Sequence, residues 1–594
     1  MSEAIPLPSF DFRIPKERII KVYGAPGTGK TSTLIRMIEH LIGFEDHSEF
    51  LNQYGLKLPY AQYGAEDIIF MTFQTSALRE FEERTGITVK AKQNKEGRYY
   101  STVHGVAFRL LLDSELLDGR ITQKFGSLSP EDWFALFCRR EGLRFDSSEM
   151  GFSNLFNDGN RLWNAMTWAI NVYYPTKPDW VLTKIATKLP PKLWKYIGLW
   201  EAYKQEKGIL DYNDMLIKAY EGLKSGEIDP RNLPRHKYSP KVLIVDEFQD
   251  LSPLQFEIFR LLANYMDLVI IAGDDDQTIF SYQGADPRLM NYVPGIDVIL
   301  GKSHRLPMVV YAKALKVIRK ARNRREKRVA PKDPNEGVGE YRHKLFYFPD
   351  FLNLLVQEAN KGHSIFILVR TNRQVLKLGK ELILSGVHFE HLKVDYRSIW
   401  EMGSKDWGTF RELVYALLKV RNEEELDVYD LVTLLYYSKF IDWHLGENLP
   451  EKERYKLIAQ QMEKVIRGLE KGQLSLDLLE VKKNPFDVLD LEKVKSLNPK
   501  FGETAVNLIK ELMKEKTNLV SVPKDAKIYL DTIHASKGRE ADVVFLINDL
   551  PRKWNSILRT PEELDAERRV WYVGLTRAKE KVYVLNGKHP FPIY

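Results

Sequence analysis

The sequence IIKVYGAPGTGKTSTLIRMIEHLI, residues 19–42, carries three patterns in succession. An apolar run rich in Ile and Val reads as a buried parallel strand, a glycine-rich loop follows, and a helical repeat of apolar residues closes the segment. In the loop, Gly24, Ala25, Pro26, Gly27, Thr28, Gly29, Lys30 and Thr31, with Ser32 next, have the spacing of a phosphate cradle. Its glycines let backbone N–H groups turn inward around an anion, and the helix N-terminus adds partial positive charge. Lys30 is placed to reach the β and γ phosphates, and Thr31 to offer a hydroxyl to Mg²⁺. A purely structural glycine turn is the competing reading, which the strand-to-helix setting disfavours.

Similar apolar runs recur at 67–73, 242–247 and 268–274, and a second set lies at 364–371, 527–534, 543–549 and 581–587. Strands alternating with helical patterns predict a doubly wound α/β fold, with ligands at the carboxyl ends of the strands. Two such lobes are expected, each interrupted by a mainly helical insert. The expected boundaries are 1–104 with 208–298 for the first lobe, 105–207 for its insert, 299–389 with 526–594 for the second lobe, and 390–525 for a shortened second insert. The first insert holds Trp133, Trp163, Trp168, Trp180, Trp194 and Trp200, read chiefly as packing residues rather than base-stacking ones.

A chain of 594 residues with 44% hydrophobic content exceeds one core. Its single cysteine, Cys138, excludes internal disulfides and cysteine-based metal sites and suits a reducing cytoplasm. No run approaches the roughly 18 apolar residues of a membrane span, and the N-terminus lacks the pattern of a leader, so a cytoplasmic protein without membrane contact is expected. A net charge of +7 is a mild lean towards polyanions that decides nothing alone.

Two polar clusters end strands of the first set. VDEFQD puts Asp246 where it could hold magnesium and Glu247 where it could polarise a water; alone it reads equally as a solvated acidic strand end. GDDDQTIFSYQGAD, residues 273–286, offers Gln277 as a γ-phosphate sensor, and Tyr282 as either a base-stacking ring or a core tyrosine. The basic run KVIRKARNRREKR, residues 316–328, reads as a solvated helix face or as a surface tracking phosphates.

The order of these blocks resembles the UvrD/Rep-type branch of superfamily 1 helicases. FMTFQTSALREF is similar to the first nucleic-acid-contacting block of that family, with Thr72 and Phe73 in place, and STVHGVAFRLL to the second, with Thr102 and His104. In the second lobe, SHRLP puts Arg305 where the family has an arginine on the γ phosphate. DTIHASKGREADVVF matches the block whose His534 and Ser536 would face DNA and whose Glu540 would hold the ribose; AERRVWYVGLTRAKEKVYV makes Arg577 the arginine finger. Taken singly, His104, His534, Arg305 and Arg577 are more often structural residues, and the full set of motifs reverses that reading.

The resemblance implies an ATP- and Mg²⁺-dependent motor moving 3′ to 5′ on single-stranded DNA and opening duplex at single-strand/double-strand junctions, in repair, replication or recombination. A translocase that remodels protein–DNA or RNA complexes is the alternative enzyme; a non-catalytic nucleic-acid-binding scaffold is the third reading. The chain departs from the family in having no glutamine before Gln53, where members read adenine, and in Gln283 after Tyr282, where members have arginine.

Overall fold

The computed structural model describes residues 6–593 apart from 74–77, 79–81, 84–85, 87–98, 118–127, 146–156, 236–238, 388, 393–402, 405–406, 422, 442–452, 454–455, 458, 461, 464–466, 468–479, 482, 498–501, 513–519, 521, 524, 553–557 and 559. Most of the FMTFQTSALREF block after Phe73, and much of the stretch 390–525, lie outside the described residues. The chain divides into two compact units, Met1–Lys344 with Ser536–Tyr594, and Leu345–Ala535.

In the first unit, β1 (Ile19–Gly24), β2 (Ile68–Thr72), β3 (Tyr99–Thr102), β4 (Val242–Val245), β5 (Leu268–Gly273) and β6 (Ile296–Leu300) form a sheet of order β3-β2-β4-β5-β1-β6. Every neighbouring pair is parallel. Strands β1, β2, β4 and β5 are buried along their whole length, which is why their sequences are nearly uninterrupted apolar runs. Alternate residues serve opposite faces. Ile19 and Tyr23 join a core with the helices Val103–Asp113, Tyr212–Ser225 and Pro253–Ala263, while Ile20 and Val22 pack with Leu34 and Ile38 of the helix Lys30–Leu41.

The remaining strands are β7 (Glu340–Leu345), β8 (Ile365–Val369), β9 (Gly403–Ser404), β10 (Gly408–Thr409), β11 (Ile528–Thr532), β12 (Ala541–Asn548) and β13 (Ala578–Asn586). In the first unit β12 and β13 run parallel, with Phe545 stacked on Tyr583. In the second, β8 and β11 run parallel and the helices Phe410–Arg421 and Val428–Tyr436 pack together. The architecture is therefore α/β, with two sets of parallel strands flanked by helices, as the sequence predicts. Among the described residues no helix is long and apolar enough to cross a membrane.

Within 105–207 the helices Pro130–Arg140, Asp158–Tyr173, Val181–Lys188 and Lys195–Lys207 pack around Phe134, Phe137, Trp163 and Trp200. Trp133, Trp168 and Trp180 are partly buried against that core. Trp194 departs from the packing role expected of it, being 48% exposed. Its indole N–H still has partners, donating to the carbonyls of Ala186 at 3.3 Å and Leu189 at 3.2 Å, so the ring can stay at the surface without a polar penalty.

The basic run 316–328 is only in part the solvated helix face that its sequence suggests. Helix Met308–Ile318 ends before most of it; Lys316, Arg319, Lys320, Arg322 and Arg328 stay exposed, while Arg324, Arg325 and Lys327 turn towards Asp274–Asp276. The Lys327 ammonium, almost fully buried, lies 2.9 Å from Asp274 and 3.1 Å from Asp276 and bonds Asp275. Arg324 grips Asp276 through two bonds of 2.8 Å, and Arg325 pairs with Asp297 at 2.5 Å. Three successive buried carboxylates demand cations, and the run supplies them. The oxygen spacing of Asp274–Asp276 would also suit a metal ion, but Lys327 already sits among those oxygens.

Candidate active site

Parallel strands deliver their following loops to one edge of the sheet, and three of these loops build a cleft. Gly24 ends β1, and helix Lys30–Leu41 starts at Lys30, so Ala25–Gly29 form the cradle between them. Gly27 has φ +77° and Gly29 φ +80°, the left-handed region that favours glycine. At Gly27 space is as binding as angle: a Cβ there would stand 2.3 Å from Cβ of Arg305. Thr28 Oγ1 donates to the Ala25 carbonyl at 2.9 Å and closes the turn, and Ala25 itself packs with Leu306 and Tyr311.

Lys30 is buried, its ammonium donating to the Gly24 carbonyl at 2.9 Å; burial pushes its pKa down, opposed by the carboxylates of Asp274, Glu247 and Asp246. Thr31 Oγ1 donates to Asp246 Oδ2 at 2.7 Å. The hydroxyl and carboxylate that could share a cation thus already touch, although their residues are 215 positions apart. Burial, and then the neighbouring Glu247 charge, raise Asp246 to about 6 against the Thr31 hydroxyl and the Lys30 ammonium. Beside it, burial also acts to raise Glu247, but the ammonium groups of Lys537 and Lys30 outweigh it and hold that carboxyl below its ordinary value. Glu247 is thereby kept ionised, as a proton acceptor must be.

Gln277 sits in the 3₁₀ turn after β5, its amide donating to Asp274 Oδ2 at 2.8 Å. Its carbonyl oxygen accepts from Arg577 Nη2 at 2.9 Å, across 300 positions of sequence. Arg577 is fully buried, Nε donating to the Val573 carbonyl at 2.9 Å; burial, then the neighbouring Arg305, push its pKa down to about 9. Arg305 pairs with Glu540. Phosphate loop, Ser32, Glu247, Gln277, Arg305, Glu540 and Arg577 line a single cavity of about 340 Å³, to which His304 and Gly538 also contribute. Its floor of glycine backbone, ammonium and guanidinium groups fits a polyphosphate, and the Thr31–Asp246 pair fits the divalent cation that accompanies one.

Sequence reasoning missed several residues here. Lys537 bonds Asp250, lies 3.5 Å from Glu247 and donates to the Gln277 carbonyl at 3.0 Å. Gln249 bridges the two strand-end loops, donating to Glu247 at 2.5 Å and accepting from the Asp274 N–H at 2.8 Å. Lys537 lies within the matched block HASKGRE and Gln249 within VDEFQD, so the signal was present, but neither residue had a chemical role until its partners were in place.

The residues expected to face nucleic acid are more dispersed. Thr72 ends β2 and Ser536 begins the last segment of the first unit; both side chains are fully buried. Thr102 caps helix Val103–Asp113, its hydroxyl accepting from the Gly105 N–H. His104 meets Tyr212 edge-on at 5.3 Å, and burial pushes it down to about 4, which keeps the ring neutral. Phe73 and Tyr282 are half-buried, Tyr282 in the 3₁₀ turn Ser281–Gln283. His534 follows β11 in the second unit and is half-buried.

A phosphate loop at the end of a central parallel strand, an Asp-Glu pair two strands away and arginines closing over them define a P-loop NTPase. Residues 13–294 match the UvrD/REP helicase N-terminal domain, and residues 478–588 the UvrD-like helicase C-terminal domain. The chain belongs to the UvrD/Rep-type family of superfamily 1 helicases. A probable DNA helicase II homolog of Mycoplasma capricolum is 22% identical over 636 residues, covering 96% of this chain and 82% of the relative. DNA helicase II of Rickettsia typhi is 22% identical over 628 residues, covering 95% and 89%. DNA helicase II of Escherichia coli is 27% identical over 300 residues, covering 48% and 36%.

Proposed function

We propose that this protein is an ATP-driven, Mg²⁺-dependent DNA helicase of the cytoplasm that moves 3′ to 5′ along single-stranded DNA, is stimulated by it, and opens duplex at junctions during repair, replication or recombination. The observation that carries the motor reading is the 2.9 Å bond from Arg577 to Gln277 in the cavity that Lys30 also lines. Phosphoryl transfer requires mainly positioning and positive charge, and a guanidinium supplied from the far end of the chain makes turnover depend on where that segment sits. Lys30 and the loop N–H groups would hold the phosphates, Thr31 and Asp246 would hold Mg²⁺, and Glu247 would accept a proton from the attacking water. Arg305 and Arg577 would stabilise charge on the migrating group, with Glu540 near the ribose.

Strand contacts are assigned to Phe73, Thr102, His104 and Tyr282, and separately to His534; Thr72 and Ser536, being buried, would act through the backbone they hold. The names of the relatives above support DNA as the track. The test is ATP hydrolysis with and without single-stranded DNA or RNA, followed by unwinding of tailed duplexes. DNA-stimulated turnover with unwinding from a 3′ tail is expected. Unwinding only from a 5′ tail refutes the direction, preference for RNA refutes the track, and absence of hydrolysis leaves a binding scaffold.

A further inference from the structure

We propose that the end of helix Lys30–Leu41 and the loop after it form a zinc site, with Glu39, Glu45 and His47 as its protein ligands. The loop is built to return on the helix. Gly43, at φ +73°, reverses the chain, and the Glu39 carbonyl accepts from the N–H of Phe44 at 2.9 Å and of Glu45 at 3.4 Å. Glu45 and His47 are thereby carried back beside the Glu39 carboxylate. His40 fixes the loop from the other side: its Nδ1 accepts from the His47 N–H at 3.2 Å while its Nε2 bonds the Leu58 carbonyl at 3.1 Å. Both ring nitrogens of His40 are engaged, which leaves His47 as the imidazole that faces the carboxylates.

Nε2 of His47 lies 2.8 Å from Glu39 Oε2 and 3.7 Å from Glu45 Oε2, and the three ligand atoms all fall within 4.8 Å of one another. Zinc bonds to nitrogen and oxygen of about 2.0–2.1 Å imply tetrahedral ligand–ligand edges of about 3.3 Å, which the two observed edges bracket. Glu39 and His47 are held by burial, whereas the Glu45 side chain is 63% exposed and can swing to complete the set, leaving a fourth position for water. One imidazole with two carboxylates favours Zn²⁺ over Mg²⁺ or Ca²⁺, which seek all-oxygen shells. Glu39 lies nine residues along the helix from Lys30, roughly 14 Å at the α-helical rise, so the site is separate from the nucleotide cavity.

The test is equilibrium dialysis of the full-length chain against Zn²⁺ in excess Mg²⁺, with Co²⁺ as a spectroscopic probe. One equivalent of Zn²⁺ is expected, and a visible Co²⁺ absorption that Zn²⁺ abolishes. His47→Gln should lose the Co²⁺ band, and the exposed Glu45→Gln, which leaves the buried pair intact, should weaken binding on the order of tenfold or more. If the wild-type chain binds no Zn²⁺, Glu39 and His47 form a hydrogen-bonded pair only. If His47→Gln binds Zn²⁺ as tightly as the wild type, the ion is adventitious. Either result overturns the assignment.

Discussion

Replacing Lys327 by Met removes one ammonium from among three carboxylates while keeping most of its volume. Lys327 and Asp274–Asp276 are all nearly inaccessible to water, so the carboxylates cannot be resolvated where they stand. Breaking a buried ion pair from one side costs about 3–5 kcal/mol. The lower end applies here, because Asp276 keeps Arg324, Asp275 keeps the N–H of Arg325, and Asp274 keeps the Gln277 amide. A loss of about 3 kcal/mol corresponds to a fall in Tm of roughly 4 °C for a unit of about 400 residues, at about 2.1 cal/mol/K of unfolding entropy per residue.

The pH dependence of that loss carries the sign of its cause. In the wild type, burial acts to raise Asp274, but Lys327 and Lys30 outweigh it and hold the carboxyl below its ordinary value. Its stabilising contribution is therefore present above the unfolded pKa near 4 and lost only as pH falls through the lower folded value. Without Lys327, burial dominates and the folded values rise, so the variant loses stability as pH climbs through them. Thermal melts at pH 7.5 and pH 5 should show a deficit that shrinks at the lower pH. An equal deficit at both, or one under about 1 kcal/mol, would refute the view that Lys327 neutralises the cluster.

Other outcomes follow from the cavity. Glu247→Gln should retain nucleotide binding and lower ATP turnover by about 10²–10⁴, as measured by steady-state hydrolysis beside a fluorescent-nucleotide titration; undiminished hydrolysis removes Glu247 from the role of base. Arg577→Ala should lower turnover by about 10³ or more with nucleotide affinity changed far less; a purely KM effect would make Arg577 a binding residue instead. Gly27→Ala should abolish nucleotide binding while leaving the melting profile of the second unit unchanged, because its Cβ collides with Arg305 at a backbone angle that alanine resists. Tyr282→Ala should weaken single-stranded DNA binding by about 1–3 kcal/mol in anisotropy titrations, and unchanged affinity returns that ring to a packing role.

Local patterns were the legible ones. The eight apolar runs all became strands, and the phosphate loop declared itself because its glycines, lysine and threonine act within eight consecutive residues. Strands β3, β6 and β7 went unread because YYST, IDVIL and EYRHKL mix polar and apolar residues, and β6 and β7 expose many of them. The basic run misled for a related reason. Eight of its thirteen residues are Lys or Arg, which alone describes a solvated surface, and only the meeting with Asp274–Asp276 some fifty positions upstream turns Arg324 and Lys327 inward. Lys537 and Gln249 share that property, since each acquires meaning from a partner that local spacing does not reveal.

The helix Pro561–Leu575 and the turn after it touch Asp275–Gln277 twice: Arg569 Nε donates to the Asp275 carbonyl at 2.9 Å and Arg577 Nη2 to the Gln277 side chain at 2.9 Å. Two grips on three neighbouring residues, one from within the rod and one from the turn two residues past its end, leave little play between rod and turn. A tilt of the rod that slackens one grip loads the other, so Gln277 registers the rod's attitude as a pawl registers its wheel.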